Sequence, residues 1–98
     1  MTYSYVLRQE ALEEFTDAYI WYEEQREGLG KLFSVAIYNK LIHVCNNPLH
    51  YKASYKNFHE ARADKFPFLI VYTINKELEQ ITVLAIFHTS RNPKNKLR

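Results

Sequence analysis

Hydrophobic residues recur at two different spacings along this 98-residue chain, and the change of spacing separates helices from strands. The aromatic and β-branched residues at 3–7 predict a short first strand. From about Gln9 the apolar residues fall three or four positions apart, which predicts an α-helix with one apolar stripe. The stripe consists of Leu12, Phe15, Tyr19 and Tyr22, with Ala11 and Ala18 beside it.

Two glycines, Gly28 and Gly30, interrupt this pattern and predict a helix end followed by a tight turn. The run after them ends at Asn46-Asn47-Pro48, because proline cannot continue a helix and restricts the residue before it. Two helices joined by so short a turn are expected to be antiparallel neighbours, which form a helical hairpin. The apolar stripe of the second helix consists of Leu29, Phe33, Ala36, Ile37, Leu41 and Val44.

The second half of the chain changes to the spacing of β-strands. Residues 49–57 predict a loop, and residues 58–65 predict an outer strand of mixed polarity. Residues 66–74 are apolar on both alternating sides, so this strand is expected to be central and buried on both sides. After a turn at 75–78, residues 80–88 predict a last strand, which residues 90–93 end.

The predicted order β-α-α-β-β-β indicates an α+β fold in a single domain, residues 1–98. We expect the helical hairpin to pack on one face of a mostly antiparallel sheet. The opposite face is then left partly open, although the central strand has apolar side chains for both faces. An open apolar face predicts a site for a protein partner.

Composition narrows the classes of function. The single cysteine excludes an internal disulfide framework and a cysteine-rich zinc site. No two of the four histidines have the spacing of helical metal ligands, so we expect neither a metal nor a cofactor. The apolar runs are far shorter than the ~20 residues that span a membrane, and the first residues do not resemble a signal peptide. These features predict a cytoplasmic protein with no membrane partner.

Charge is distributed unevenly, although the formal net charge is only +2. Residues 1–50 contain four Lys and Arg against seven acidic residues, a net charge of −3, whereas residues 51–98 contain nine against four, a net charge of +5. The second half is therefore expected to face an acidic partner, such as nucleic acid or an acidic protein segment. A solvated basic tail explains the same asymmetry equally well.

Four residues of the second half have the chemistry to act on a phosphodiester; they are Arg62, Lys65, His88 and Arg91. His88 ends the last strand beside a loop, where a histidine could serve as acid or base while the cations stabilise phosphorane charge. The alternative, which spacing alone favours, is a histidine that hydrogen-bonds the loop and ends the strand. By strand alternation Arg62 and Lys65 also point to opposite sides, so the strand does not present them as one set.

Three stretches of sequence carry a recognisable combination of motifs. They are residues 21–30 (WYEEQREGLG) with Phe33, residues 65–72 (KFPFLIVY) and residues 85–93 (AIFHTSRNP). In order and spacing they resemble the RelE/ParE toxin superfamily of type II toxin–antitoxin systems, whose members are often labelled plasmid stabilisation proteins. The resemblance covers nearly the whole chain, and the first two stretches are more similar to the ParE side.

The resemblance implies a bacterial toxin that a cognate antitoxin wraps and blocks, with a helical hairpin on an antiparallel sheet. ParE-like members poison DNA gyrase, whereas RelE-like members cleave mRNA on the ribosome with basic residues and an acid–base group on the sheet. Relatives often carry an arginine in the strand before the Phe-Pro pair, and here His59 and Arg62 are the only candidates. The chain also departs from those ribonuclease members that end in a tyrosine.

We therefore predict a ParE-like DNA gyrase inhibitor that a cognate antitoxin neutralises. The alternatives are a RelE-like ribosome-dependent mRNA endonuclease and a non-toxic protein-binding relative of the same fold. For the endonuclease, the catalytic candidates would be Arg62, Lys65, His88 and Arg91. The residues that we expect to contact a partner are Arg62, Phe68, Ile70, Tyr72, His88 and Arg91.

Overall fold

A computed structural model of the protein describes residues 2–51 and 53–90, with the backbone alone at residues 54 and 55. In chain order its elements are β1 (Ser4–Leu7), α1 (Gln9–Gln25), α2 (Leu29–Asn46), β2 (Ala53–Tyr55), β3 (Phe58–Arg62), β4 (Phe68–Asn75) and β5 (Gln80–His88). The predicted α+β fold, with a helical hairpin on a sheet, is confirmed. No helix in this part of the chain is long and apolar enough to cross a membrane.

The sheet has five strands in the order β1-β5-β4-β3-β2. The apolar strand β4 is the middle one, as its sequence predicts. Strands β5, β4, β3 and β2 pair antiparallel with their neighbours, whereas β1 pairs parallel with β5. The parallel pair places the first strand beside the last one, so segments from both ends of the described chain form this edge of the sheet.

The short edge strand β2 lies within residues 49–57, which the sequence predicts as a loop. It pairs antiparallel with β3 through the register Ala53 to His59 and Tyr55 to Phe58. Lys56 in the intervening turn has a positive φ of 50°. The prediction of a loop was wrong here because a strand of three residues is too short to show an alternation of apolar and polar positions.

The apolar face of α1 is rotated relative to the predicted stripe. Ala11 is fully buried, and Phe15, Ala18 and Tyr22 pack against the core, whereas Leu12 is 45% and Tyr19 is 36% exposed. The two alanines lie on the buried face, where their small side chains allow the helix to approach the sheet closely. The prediction that Phe15 and Tyr22 pack against the core is correct. The prediction that Leu12 and Tyr19 lie on the same face is wrong.

An aromatic cluster joins the helical hairpin to the sheet. Phe33 of α2 is fully buried at its centre. The centroid of its ring lies 5.2 Å from that of Tyr22, 5.5 Å from that of Phe66 and 5.0 Å from that of Phe68. These are ordinary separations for tilted and edge-to-face aromatic pairs, which add to the stabilisation by area burial.

A bulge in β5 sets which side chains face the helices. Val71 pairs with Ala85 and Tyr72 pairs with Val83, so Leu84 is an extra residue in β5. Before the bulge the odd-numbered residues of β5 face the helices, and after it the even-numbered residues do.

Beyond Val83 strand β5 loses its parallel neighbour, because β1 ends at Leu7 opposite that residue. Helix α1 supplies a hydrogen-bond acceptor there. The backbone N–H of Ile86 donates to Oε1 of Glu14, 2.9 Å away. A side chain thus satisfies a main-chain donor where the strand pairing stops.

Candidate functional site

The two faces of the sheet differ in what covers them. One face packs under the hairpin and contributes to the main core. The other face, which we call the second face, has a smaller cluster of Val71, Ala85 and Phe87 with exposed fractions of at most 4%. Phe58, Leu69 and Leu84 are half-buried around it. The apolar part of the second face that is accessible to a partner is therefore this surround.

Arg62 lies in the surround of the second face. It is exposed, and it stands opposite Leu69 of β4, which in turn stands opposite Phe87 of β5. Glu60 lies two residues earlier on the same side of β3 and is half-buried. The arginine is thus a cation at the edge of an apolar patch, with a carboxylate on the same strand face.

Three of the predicted partner contacts lie on the opposite face. Phe68 is 6% exposed, and Ile70 and Tyr72 are fully buried beneath the helices. Burial raises the pKa of the Tyr72 hydroxyl, with a smaller contribution from Tyr51, and the hydroxyl donates to the carbonyl oxygen of Pro48 at 2.9 Å. These side chains hold the core together, so the assignment of Phe68, Ile70 and Tyr72 to a partner surface is corrected: all three lie in the core beneath the helices.

His88 lies at one end of the sheet on the helix face, in a cleft of about 520 Å³. The cleft is formed by α1, by the start of β4 and by the residues that follow β5; it is lined by Asp17, Ala18, Trp21, Tyr22, Phe68, His88 and Ser90. The ring of Phe68 makes an edge-on contact with the ring of His88, with centroids 5.3 Å apart. Asp17 and Trp21 are four residues apart on α1, a helical spacing that places both on one flank and that the sequence already contains.

Hydrogen bonds fix the tautomer of His88. The backbone N–H of Ser90 lies 3.1 Å from Nδ1, and the Ser90 hydroxyl oxygen lies 2.7 Å from the same atom. Because a backbone N–H can only donate, Nδ1 is an acceptor and the ring proton of the neutral imidazole is on Nε2. The nitrogen left for a substrate is then a donor. His88 therefore hydrogen-bonds the loop that ends the strand, which is the role that the sequence analysis gave as the alternative to acid–base catalysis.

The remaining predicted site residues do not join His88. Lys65 has a positive φ of 69° in the β3–β4 loop and lines a groove beside α2 with Leu32 and Asn39. Arg62 is on the second face and His88 is under the helices, so these three side chains lie on three different surfaces. Arg91 is outside the described residues.

Two other reactive side chains, the Cys45 thiol and the Tyr51 hydroxyl, have structural roles. Cys45 is 2% exposed, and burial raises the pKa of its thiol, so it is a core residue rather than a nucleophile. Tyr51 accepts a hydrogen bond from Lys40 Nζ at 3.4 Å, and its hydroxyl lies 2.9 Å from His43 Nδ1. Within residues 2–51 and 53–90 no group of three His, Cys, Asp or Glu side chains could hold a metal ion.

The fold and the sequence together define the class of protein. The family model of the ParE toxin of type II toxin–antitoxin systems, from parDE, matches residues 5–93. The chain therefore belongs to the ParE toxin family. No curated protein sequence matches it closely enough to count as a relative.

Solved toxin structures from both branches of the superfamily share this fold. The chromosomal ParDE system from P. aeruginosa matches with a TM-score of 0.73 and 13% identity, over 91% of this chain and 98% of that one. The intact E. coli RelBE toxin–antitoxin complex matches with a TM-score of 0.69 and 17% identity, over 91% and 99%. The isolated E. coli RelE toxin gives a TM-score of 0.69 and 16% identity, over 97% and 93%. Identities this low show the fold alone, and the fold is common to ParDE and RelBE proteins.

Proposed function

We propose that this ParE-family chain inhibits a protein–DNA target of the DNA gyrase type and does not cleave mRNA. The observation that carries the proposal is the separation of Arg62, Lys65 and His88 onto three surfaces. A ribonuclease must deprotonate a 2′-hydroxyl, stabilise a dianionic phosphorane and protonate a leaving oxygen. Those steps need an acid–base pair and a fixed cation within hydrogen-bond reach of one phosphate.

The environment of His88 adds a second argument. Its Nδ1 accepts hydrogen bonds from Ser90, and its Nε2 carries the ring proton. With the ring proton on Nε2, only Nδ1 has a lone pair that could accept a further proton, and the Ser90 N–H already occupies it. Catalysis by His88 would require the loop at Ser90 to release the ring first.

We further propose that a cognate antitoxin binds the second face of the sheet beside Arg62. The ParDE and RelBE structures that share the fold are toxin–antitoxin systems, and RelBE is solved as the complex. Arg62 beside the half-buried Leu69 and Phe58 fits a segment that carries both a carboxylate and apolar side chains. Residues 51–98 have a net charge of +5, which suits an acidic partner.

The test is to express the chain without its antitoxin and to run two assays on the purified protein. We expect inhibition of gyrase supercoiling with trapped DNA breaks, and no ribosome-dependent cleavage of mRNA. His88→Ala, Arg62→Ala and Arg91→Ala are the site variants. Lys76→Ala, an exposed position in the β4–β5 turn, is the matched control for loss of one charge.

Two results would overturn the proposal. Cleaved mRNA that disappears in His88→Ala or Arg91→Ala, with gyrase unaffected, would assign the chain to the RelE-like alternative. Normal growth on expression, together with no effect in either assay and intact binding to the product of the neighbouring gene, would identify a non-toxic relative.

A further inference from the structure

The cleft around His88 has walls that suit a cation, and the proposed function leaves them unused. Trp21 is 54% exposed there, and its ring meets the ring of Tyr22 edge-on, with centroids 5.1 Å apart. Asp17 adds an exposed carboxylate one helical turn before Trp21, on the same flank of α1. A cation is attracted both to the face of an indole ring and to a carboxylate, and the flat guanidinium group of arginine can contact both at once.

We propose that this cleft binds the guanidinium group of Arg91, stacked on Trp21 and paired with Asp17, and that the rest of the basic segment 91–98 follows the same flank of α1. Arg91 lies outside the described residues, but its place in the sequence limits where it can be. Ser90 lines the cleft, and consecutive Cα atoms are about 3.8 Å apart. Arg91 therefore starts at the rim of the cleft.

The covalent link favours Arg91 over an arginine of another molecule. A group that a short piece of chain holds beside its site has an effective concentration on the order of millimolar or more. A separate protein has to reach a comparable concentration, or bind far more tightly, to take its place. The volume of the cleft, about 520 Å³, is within the range of roughly 300–1,000 Å³ that small-ligand sites have. The cleft thus has room for an arginine side chain and the main chain next to it.

Charge complementarity continues beyond Arg91. The segment 91–98 contains four Lys and Arg and no acidic residue. Glu13 and Glu24 are exposed on the flank of Asp17, about 6 and 10 Å from it along the helix axis. In the part of the chain that the structure describes, no basic side chain forms an ion pair with these three carboxylates. Eight residues span roughly 26–29 Å when extended, so the segment can bring a second cation to one of the two glutamates in either direction.

His88 makes the cleft suited to a peptide rather than to a metal ion. Its Nδ1 is held by Ser90, so the ring proton is on Nε2 and that nitrogen can only donate. A main-chain carbonyl oxygen of the segment is an acceptor for this donor, whereas a metal ion offers none. The cleft therefore provides a carboxylate and an indole face for a guanidinium group, and an N–H donor for the main chain that carries it.

The fluorescence of Trp21 tests the proposal on the purified full-length chain. The chain contains one tryptophan, so its emission reports on this cleft alone. Acrylamide is an uncharged quencher, and its quenching constant measures how accessible the indole is without a direct effect of the charges that are changed. We expect Arg91→Gln to raise that constant about twofold, because a ring that a guanidinium group covers on one face is then open on both.

Three further variants identify the contact. Asp17→Asn should raise the quenching constant as much as Arg91→Gln does, and the double variant should raise it no further, because both changes remove the same contact. Arg91→Lys keeps the charge but loses the planar group, so it should give an intermediate constant. Lys76→Gln removes an exposed charge in the β4–β5 turn and is the matched control, which should behave like the wild-type chain. Circular dichroism of each variant establishes that the fold is retained.

Equal quenching of the wild-type chain and Arg91→Gln would overturn the proposal, since the segment would then be solvated and the cleft open. Protection of Trp21 that is lost on dilution of the protein would also overturn it, because the guanidinium group would come from a second copy. If Trp21 becomes protected only when the product of the neighbouring gene is added, the cleft belongs to the antitoxin and the proposal is wrong. None of these measurements uses toxicity, gyrase or mRNA, so the result is independent of the proposed cellular target.

Discussion

At the scale of single residues, the Gly28-Leu29-Gly30 motif is explained by the turn between the helices. Gly28 has a φ of 88°, in the left-handed region that glycine enters without strain. Gly30, the second residue of α2, lies so close to α1 that a β-carbon there would be 2.8 Å from the carbonyl oxygen of Tyr19. The carboxylate of Glu23 accepts hydrogen bonds from the N–H groups of both glycines, at 2.9 and 3.0 Å. The motif that resembles the superfamily therefore builds the hairpin.

This geometry predicts that Gly30→Ala destabilises the fold, although alanine favours helices. The new β-carbon meets backbone at Tyr19 and the side chain of Glu23, so the two helices must move apart. We expect a loss of about 1–3 kcal/mol in the free energy of unfolding, measured by urea denaturation. Gly28→Asn is the comparison, because nothing lies within 4 Å of that position and asparagine tolerates a positive φ. Equal stability of Gly30→Ala and the wild-type chain would contradict the close approach.

At the scale of elements, the sequence predicts which segments are helices and strands better than it predicts which side of each segment faces the core. The bounds of β5 are the predicted ones, α1 ends before the break that Gly28 predicts, and α2 lies between Gly28 and Pro48. The period of three to four residues in α1 does not tell which residues face the sheet, since Ala11 and Ala18 continue the spacing of Phe15 and Tyr22 as well as Leu12 and Tyr19 do. In the same way, the alternation in β4 gives two apolar sets and does not say which set the helices cover.

The contact between α1 and β5 gives a prediction at this scale. Glu14→Ala removes the acceptor of the Ile86 N–H and leaves a partly buried main-chain donor without it. We expect a destabilisation of about 1–3 kcal/mol, with faster hydrogen exchange of the Ile86 amide. Glu14→Gln keeps a side-chain oxygen at that place, so it should restore most of the protection. Unchanged exchange at Ile86 in Glu14→Ala would show that the hydrogen bond does not hold the strand.

At the scale of the whole molecule, the candidate site was the least predictable part. The spacing of apolar residues predicts that Arg62 and His88 lie in strands, but the bulge at Leu84 changes the face of the sheet on which His88 lies. A one-residue insertion in a strand leaves no mark on composition or charge, so the separation of these residues needs the structure. The unequal charge of the two halves could be predicted, because it is a property of the sequence and does not depend on the register of the strands.

That charge predicts how the proposed antitoxin associates. With a net charge of +5 in residues 51–98, attraction to an acidic segment should speed the encounter, and added salt should slow it. The screening length falls from about 10 Å at 0.1 M to about 3 Å at 1 M salt, so the association rate constant should fall while the dissociation rate constant changes less. Stopped-flow mixing of the chain with the product of its neighbouring gene measures both rates. Lys94→Gln with Lys96→Gln should lower the association rate and flatten its salt dependence, whereas Arg26→Gln in the acidic half should not. An association rate constant that does not change with salt concentration would show that the basic half does not contribute to the encounter with the partner.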